Sequence, residues 1–428
     1  MNHRRRTLAG LTMLAVMLLL AAATGTALAA PPSNDDFYRA PVPLPSHRNG
    51  DLIKSEAAGL FGGTPIAALA APATATRIMY QSADTFGVPI ATTGIVLNPT
   101  IPWTGPGRRP LVSYAVGTHG AGDACAPSRL LTEGITFDGS GMPFVESQIL
   151  DIHGLLARGM AVVVTDYQGL GTSAGHTYLQ PLPEAHAVLD AARAALRLGV
   201  VPPDAPIGIW GYSQGGGAAG GAAEQAHSYA PELNLKGTVV GAPPVNVAST
   251  LRNVDGKALS GVIGFFLNGL FVSHPEFTPR ITAMLNPAGI DFLHATAQQC
   301  DASLALWASC STRDFTTNGQ SIIDRLEADP DIRSVLDGYV LGGSTPANPV
   351  LIVQNTNDDV VVPAQTRELA ATWCSHGATV DYPSVIDTPP LLPQAGLVGH
   401  AWGILGTNVA VQWLADRFDG IAAPSTCA

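Results

Sequence analysis

The sequence is poor in charge. Asp, Glu, Lys and Arg make up 13% of its 428 residues, against 46% apolar ones. Such a chain cannot be an extended disordered tail, which needs low hydrophobicity and high charge. Basic residues are the scarcer kind, 22 against 33 acidic, giving a formal net charge of −11. Beyond the extreme N-terminus no stretch gathers Lys and Arg into a stripe. Phosphate backbones would repel such a surface, so nucleic acid is excluded as a partner. Long apolar runs are also missing: past residue 25 none reaches the roughly 18 residues of a membrane-spanning helix. The sequence lacks H-E-x-x-H, P-loop and EF-hand patterns and any Cys/His cluster with metal-site spacing. No metal and no organic cofactor are expected.

Glycine and proline are abundant, at 46 and 34 residues, but spread through apolar segments rather than gathered in a low-complexity tract. This reads as a globular chain rich in tight turns. Its length allows two or three ordinary domains or one enlarged α/β domain with an insertion. At the N-terminus Arg4, Arg5 and Arg6 precede an apolar stretch from Leu8 to Gly25, followed by Ala27, Leu28 and Ala29. That order is a secretory signal peptide, with cleavage expected after Ala29, and the remainder is expected to be exported without a permanent membrane anchor. Five cysteines in an exported chain suggest two disulfides and one thiol left over. Spacing alone leaves every pairing open.

Along the chain, apolar β-branched runs alternate with helical patterns. Arg77–Ser82 and Pro89–Asn98 look like an antiparallel pair. Pro110–Val116, Met160–Thr165, Pro206–Trp210, Gly237–Gly241, Pro349–Gln354 and Ala378–Tyr382 read as further strands. Helices are expected at Phe144–Arg158, Pro183–Leu198, Gly215–Tyr229, Ala364–Cys374 and Gly403–Phe418. This alternation predicts an α/β fold with a mostly parallel sheet flanked by helices. It stops between residues 246 and 343, where only helical patterns and loops occur. The division expected is a signal over 1–29, a core over 30–245, a helical cap inserted over 246–343, and the rest of the core over 344–428.

Two segments match the G-x-S-x-G nucleophile pattern, at Gly171–Gly175 and Gly211–Gly215. The chemistry needs a strand ending in a sharp turn that projects the serine, with a helix beginning at once. Ser213 meets that requirement, because Ile207–Trp210 runs into it and a small-residue helix follows. Ser173 does not, since its strand has already ended and Pro181 and Pro183 precede any helix. The stretch Gly169–Ala174 also mimics a dinucleotide fingerprint and fails for the same reason; it is read as a glycine-rich turn. A serine hydroxyl needs a base, and the base an orienting acid, in the chain order Ser, acid, His. His400, in a loop beyond the last strand, is the base expected. The turn after Pro349–Gln354 offers two acids, of which Asp358 is preferred, with Asp359 a neighbouring turn or helix-cap residue. The oxyanion donors expected are the N–H of Gln214 and one from the loop Gly117–Gly120, where His119 lends its backbone in preference to its side chain.

The segments Tyr114–Ser128, Val162–Gly171 and Gly211–Gly216, together with Asp36–Tyr38 and Gly50–Ser55, resemble the secretory lipase family, whose best-known members are fungal lipases of the lipase A type. The resemblance implies an α/β-hydrolase fold with a helical cap, and a triacylglycerol lipase or broader carboxylesterase that meets its ester at a lipid–water interface. It supports Ser213, Asp358 and His400 as a triad and places the loop donor at or beside His119, where fungal members carry Asp. It also favours the disulfides Cys125–Cys300 and Cys374–Cys427, leaving Cys310 unpaired. From its own residues Val262–Phe271 is read as the cap's own core, with an acyl-chain tunnel or lid as the functional alternative. Two other readings remain: acyl transfer or short-chain ester cleavage by the same triad, and a non-catalytic binding protein on a hydrolase scaffold.

Overall fold

The computed structural model describes residues 36–45, 48–63, 72–383, 396–403 and 407–427. The expected signal peptide, with its cleavage point at Ala29, lies outside the described residues. A nine-stranded sheet, flanked by helices, forms the core. Its strands are β1 (Leu52–Ala58), β2 (Ala73–Ala83), β3 (Pro89–Pro99), β4 (Leu111–Ala115), β7 (Ala161–Thr165), β8 (Ile207–Tyr212), β9 (Leu235–Gly241), β10 (Val350–Val353) and β11 (Val380–Asp381). A separate two-residue hairpin, β5 (Thr136–Phe137) with β6 (Pro143–Phe144), lies between β4 and β7. The spatial order is β1-β2-β3-β7-β4-β8-β9-β10-β11. The first three strands and the β3–β7 junction pair antiparallel, and from β7 onward every pairing is parallel.

The two halves differ because their sequences do. β4, β7 and β10 are buried at every position, as parallel strands covered on both faces must be. The helices Pro181–Leu198 and Gln214–Tyr229 cover the parallel region, the second of them mostly with Ala and Gly. The small residues let the second helix lie close on the strands: a Cβ at Gly216 would stand 1.9 Å from the Gly241 carbonyl oxygen.

Several expectations shift at the edges. The helix expected over 144–158 is confined to Ile149–Leu156, since Phe144 joins the small hairpin and Glu146 and Gln148 turn their side chains inward. The last strand shrinks to Val380–Asp381. The helix expected from Gly403 runs over Thr407–Phe418, and Gly403 instead closes a short helix, Val398–Gly403.

Between β9 and β10 the described chain forms helices, among them Val247–Val254, Val262–Ser273, Pro287–Thr296 and Pro330–Gly338. They enclose a second apolar cluster, with Ile263, Phe265, Phe266, Leu267 and Leu270 fully buried in it. The disulfide Cys125–Cys300 joins this region to the loop after β4, and Cys374–Cys427 fastens the C-terminus. The first spans 175 residues, a closure that removes about 5 kcal/mol of unfolded-chain entropy. Cys310 is free and half-buried.

Candidate active site

The parallel strands deliver their C-terminal ends to one edge of the sheet, and three turns meet there. The first follows β8. Ser213 has φ 61° and ψ −123°, a conformation costly for a residue with a side chain. Its N–H donates to the Gly241 carbonyl (2.9 Å), and its own carbonyl accepts from the Gly217 N–H (3.0 Å). The flanking glycines are steric necessities: a Cβ on Gly211 would lie 2.0 Å from the Gly215 oxygen, and one on Gly215 1.9 Å from the Ala115 oxygen. The helix begins at Gln214, which turns the N–H groups of its first turn toward the serine.

The second turn follows β10. Asp358 is buried, and its carboxylate is fully engaged: Oδ1 accepts from the N–H groups of Val360 and Val361 (2.9 Å each), and Oδ2 from Gln354 Nε2 (2.9 Å). The third carries His400, which sits within the short helix Val398–Gly403 where a loop was expected. Its Nδ1 lies 2.8 Å from Asp358 Oδ2 and its Nε2 2.8 Å from Ser213 Oγ. The carboxylate accepts from Nδ1–H, which leaves Nε2 bare toward the serine hydroxyl. Residues 187 positions apart thus share one hydrogen bond.

Asp359 has a different task. Its Oδ2 accepts from the N–H groups of Gly396 (2.8 Å) and Leu397 (3.1 Å), and its Oδ1 from the His400 N–H (3.2 Å). It is a cap, as expected, but of the segment bearing His400 rather than of the helix after Pro363. From the other side Tyr212 donates its hydroxyl proton to the His400 carbonyl (2.8 Å). Gly399 fits because its missing Cβ would stand 1.9 Å from the Asn357 oxygen.

The loop after β4 holds His119 by a buried ring. Nδ1 lies 2.9 Å from the Gly117 carbonyl and Nε2 3.0 Å from the buried Glu146 carboxylate. Two acceptors, a carbonyl and a carboxylate, favour the doubly protonated ring. Burial alone would lower its pKa, but the Glu146 charge and hydrogen bond overcome this and raise it. The side chain is therefore committed to Gly117 and Glu146. The half-buried Asp301 lies across this loop, its N–H donating to the His119 carbonyl (2.9 Å). Burial pushes its carboxyl up to about 6, against the opposing fields of His119 and His400.

The other G-x-S-x-G segment is not part of this gathering. Ser173 is exposed in a turn, and the next helix starts at Pro181. His376 is exposed beyond the end of the helix Pro363–Ser375, and His274 pairs with Glu276 at 3.1 Å. Among the described residues no cluster of His, Cys, Asp or Glu could hold a metal, and no helix is long and apolar enough to cross a membrane.

The sequence pattern of the secretory lipase family matches residues 143–425, a span that contains all three turns. This chain belongs to the secretory lipase family. Similar proteins within reach of the whole sequence include a lipase A of Arthroderma benhamiae, 28% identical over 93% of this chain and 82% of its own length. A secreted triacylglycerol lipase of Malassezia furfur is 29% identical over 73% of this chain and 80% of its own. A protein of Mycobacterium tuberculosis described as a probable inactive lipase is 29% identical over 91% of this chain and 83% of its own. The crystal structure of Candida antarctica lipase A in its closed state superposes with a TM-score of 0.77, covering 94% of this chain and 89% of that one at 22% identity. A rice cell wall degrading esterase from Xanthomonas oryzae reaches 0.69, covering 87% of this chain and 98% of that one at 19% identity. The fold of this secretory lipase family member is thus that of the lipase A structures.

Sequence reasoning passed over several residues that gather beside the site, among them Glu146, Gln148, His176 and Glu184. One signal existed: Glu184 stands in a stripe with Ala187, Val188 and Ala191, helical spacing that turns a carboxyl toward the core.

Proposed function

We propose that this protein is an exported serine carboxylic-ester hydrolase that cleaves acylglycerols to fatty acids. One observation carries the reading: Ser213 Oγ, His400 Nε2, His400 Nδ1 and Asp358 Oδ2 form an unbroken hydrogen-bonded relay with both links at 2.8 Å. His400 takes the serine proton as Oγ attacks the ester carbonyl. Asp358 holds the ring and stabilises the imidazolium. The oxyanion is met by the Gln214 N–H and an N–H of the 117–120 loop, with His119 at its centre. His400 then protonates the departing alcohol, which leaves an acyl-serine. Water, deprotonated by the same ring, releases the acid and restores Ser213.

In this reading residues 246–343 are a cap over a core made of 30–245 and 344–428, and 1–29 is the discarded leader. The burial of Phe265 and Phe266 supports treating Val262–Phe271 as the cap's own interior. The secreted relative from Malassezia furfur supports export, and the sparse charge suits an enzyme meeting apolar esters at a lipid–water interface.

The test is hydrolysis of p-nitrophenyl esters from acetate to palmitate and of an emulsified triacylglycerol, by the wild type and Ser213→Ala. Long-chain and emulsion hydrolysis abolished by Ser213→Ala is the expected result. Turnover of acetate and butyrate alone would make the protein a short-chain esterase. Product esters formed in the presence of an added alcohol would make it an acyltransferase. No turnover, with Ser213 inert to a fluorophosphonate, would align it with the relative described as inactive.

A further inference from the structure

The Gln214 peptide has to point its N–H at a position fixed to a fraction of an ångström, since oxyanion donors act at 2.7–3.1 Å. Its side chain is anchored in a way the relay does not explain. Gln214 is buried, and its Nε2 donates to His176 Nε2 (2.9 Å) and to Glu184 Oε1 (2.7 Å). A primary amide has two N–H groups, and both are used. Each acceptor is itself held. His176 Nδ1 lies 3.0 Å from the Gln168 carbonyl and must carry the proton there, which leaves Nε2 bare. Glu184 Oε1 also accepts from the Leu179 N–H (3.0 Å).

The glycine-rich turn that mimics a dinucleotide motif supplies this geometry. Gly169 has φ +83°, and a Cβ there would fall 1.7 Å from the Gly175 oxygen, so the turn doubles back and delivers His176 to the base of the site. The same segment reaches the other donor loop. The Tyr167 hydroxyl donates to the Val116 carbonyl (2.7 Å), and the Tyr178 hydroxyl shares a hydrogen bond with Thr118 Oγ1 (2.7 Å). His176 stacks on Tyr167 with ring centres 5.9 Å apart.

We infer that His176 and Glu184 are positioning residues that clamp the Gln214 side chain and thereby aim its peptide N–H at the reacting oxygen. The inference rests on the ester-hydrolase reading and deepens it. The clamp is also electrically quiet. Burial lowers the His176 ring to about 4 and raises the Glu184 carboxyl to about 8, the latter against its hydrogen bonds from Gln214 and Leu179. Near neutrality neither acceptor carries a charge, so a full negative charge does not sit behind a donor that must attract one.

The test compares His176→Phe, Glu184→Leu, Glu184→Gln and Gln214→Ala with p-nitrophenyl butyrate. His176→Phe, Glu184→Leu and Gln214→Ala should each lower kcat about tenfold with KM within about twofold. That is less than the 10²–10³-fold typical of losing a donor outright. Glu184→Gln, whose amide oxygen can accept the same two hydrogen bonds, should recover most of the loss. In a Gln214→Ala background, His176→Phe should have no further effect. An equal loss from His176→Phe in both backgrounds, or an unchanged kcat in Gln214→Ala, overturns the clamp while leaving the relay intact. Should the wild type hydrolyse no ester, it is the reaction that fails. The clamp is then read from hydrogen exchange of the 212–217 peptide, which should quicken in Gln214→Ala; unchanged exchange overturns it.

Discussion

Gly171–Gly175 and Gly211–Gly215 obey the same five-residue pattern and become different objects. In the second, strand β8 feeds directly into the turn, the helix starts at Gln214, and the serine is forced to φ 61°. In the first, the strand ended at Thr165, Gly171 and Gly175 take positive φ, and the serine faces water. The glycines differ in purpose as well. Those at 211 and 215 are needed because backbone oxygens lie within 2.0 Å of where a Cβ would be, whereas Gly171 is crowded by side chains, the nearest being Ala126 Cβ at 2.9 Å. A pattern specifies a nucleophile only when the elements before and after it supply the strain and the helix.

That contrast can be broken at several points. The largest expected effect is on rate. Ser213→Ala should lower kcat roughly 10⁵–10⁶-fold, and Ser173→Ala should leave it unchanged in the same ester assay; a loss from Ser173→Ala would reverse the assignment. Next come the two neighbouring acids. Asp358→Asn should cost about 10⁴-fold in kcat by unsettling the imidazole tautomer, while Asp359→Asn, which only loosens the His400 segment, should cost between about tenfold and 10²-fold. Equal losses would mean that the two acids share one role. The glycines follow. Gly215→Ala should destabilise by about 3 kcal/mol or more and Gly171→Ala by roughly 1 kcal/mol, read from urea midpoints.

The last effect is a pH dependence and concerns the carboxyl beside the site. Glu184 faces His176 across the shared amide, with Tyr167 and Tyr178 nearby. Its carboxyl is raised to about 8 by burial, so between the ordinary carboxylate range and pH 8 the folded chain holds a proton that the unfolded chain has released. Stability should therefore fall as pH rises through that window, by up to about 1.4 kcal/mol per pH unit from this group. Glu184→Gln should flatten the slope in urea midpoints between pH 5 and 8. An unaltered slope would mean that Glu184 is ionised in the folded chain.

Much of this was legible in the residues, and what was not has physical causes. The buried parallel strands announced themselves as continuous apolar runs, and Ser213, Asp358 and His400 followed from strand ends and chain order. β1 escaped notice because it is an edge strand whose sequence, Leu-Ile-Lys-Ser-Glu-Ala-Ala, is largely solvent-facing. The helix expected from Phe144 was cut short by Glu146 and Gln148, whose side chains bond across the fold to His119 and Gly117. Such partners leave no local mark. His176 was hidden for the same reason, and for Glu184 the helical stripe marks burial but not its partner, since the target they share lies 30 or more residues further along the chain.

The 187-residue separation between Ser213 and His400 also sets a schedule. At about 5–20 residues per second of synthesis, the histidine leaves the ribosome roughly 10–40 s after the serine. Until then the elbow has no base, and until Asp359 and Tyr212 hold its backbone the arriving ring has no fixed place. A growing chain therefore carries the elbow for much of its synthesis without the relay, and completes the relay only when the 396–403 segment has folded onto Asp358 and Asp359.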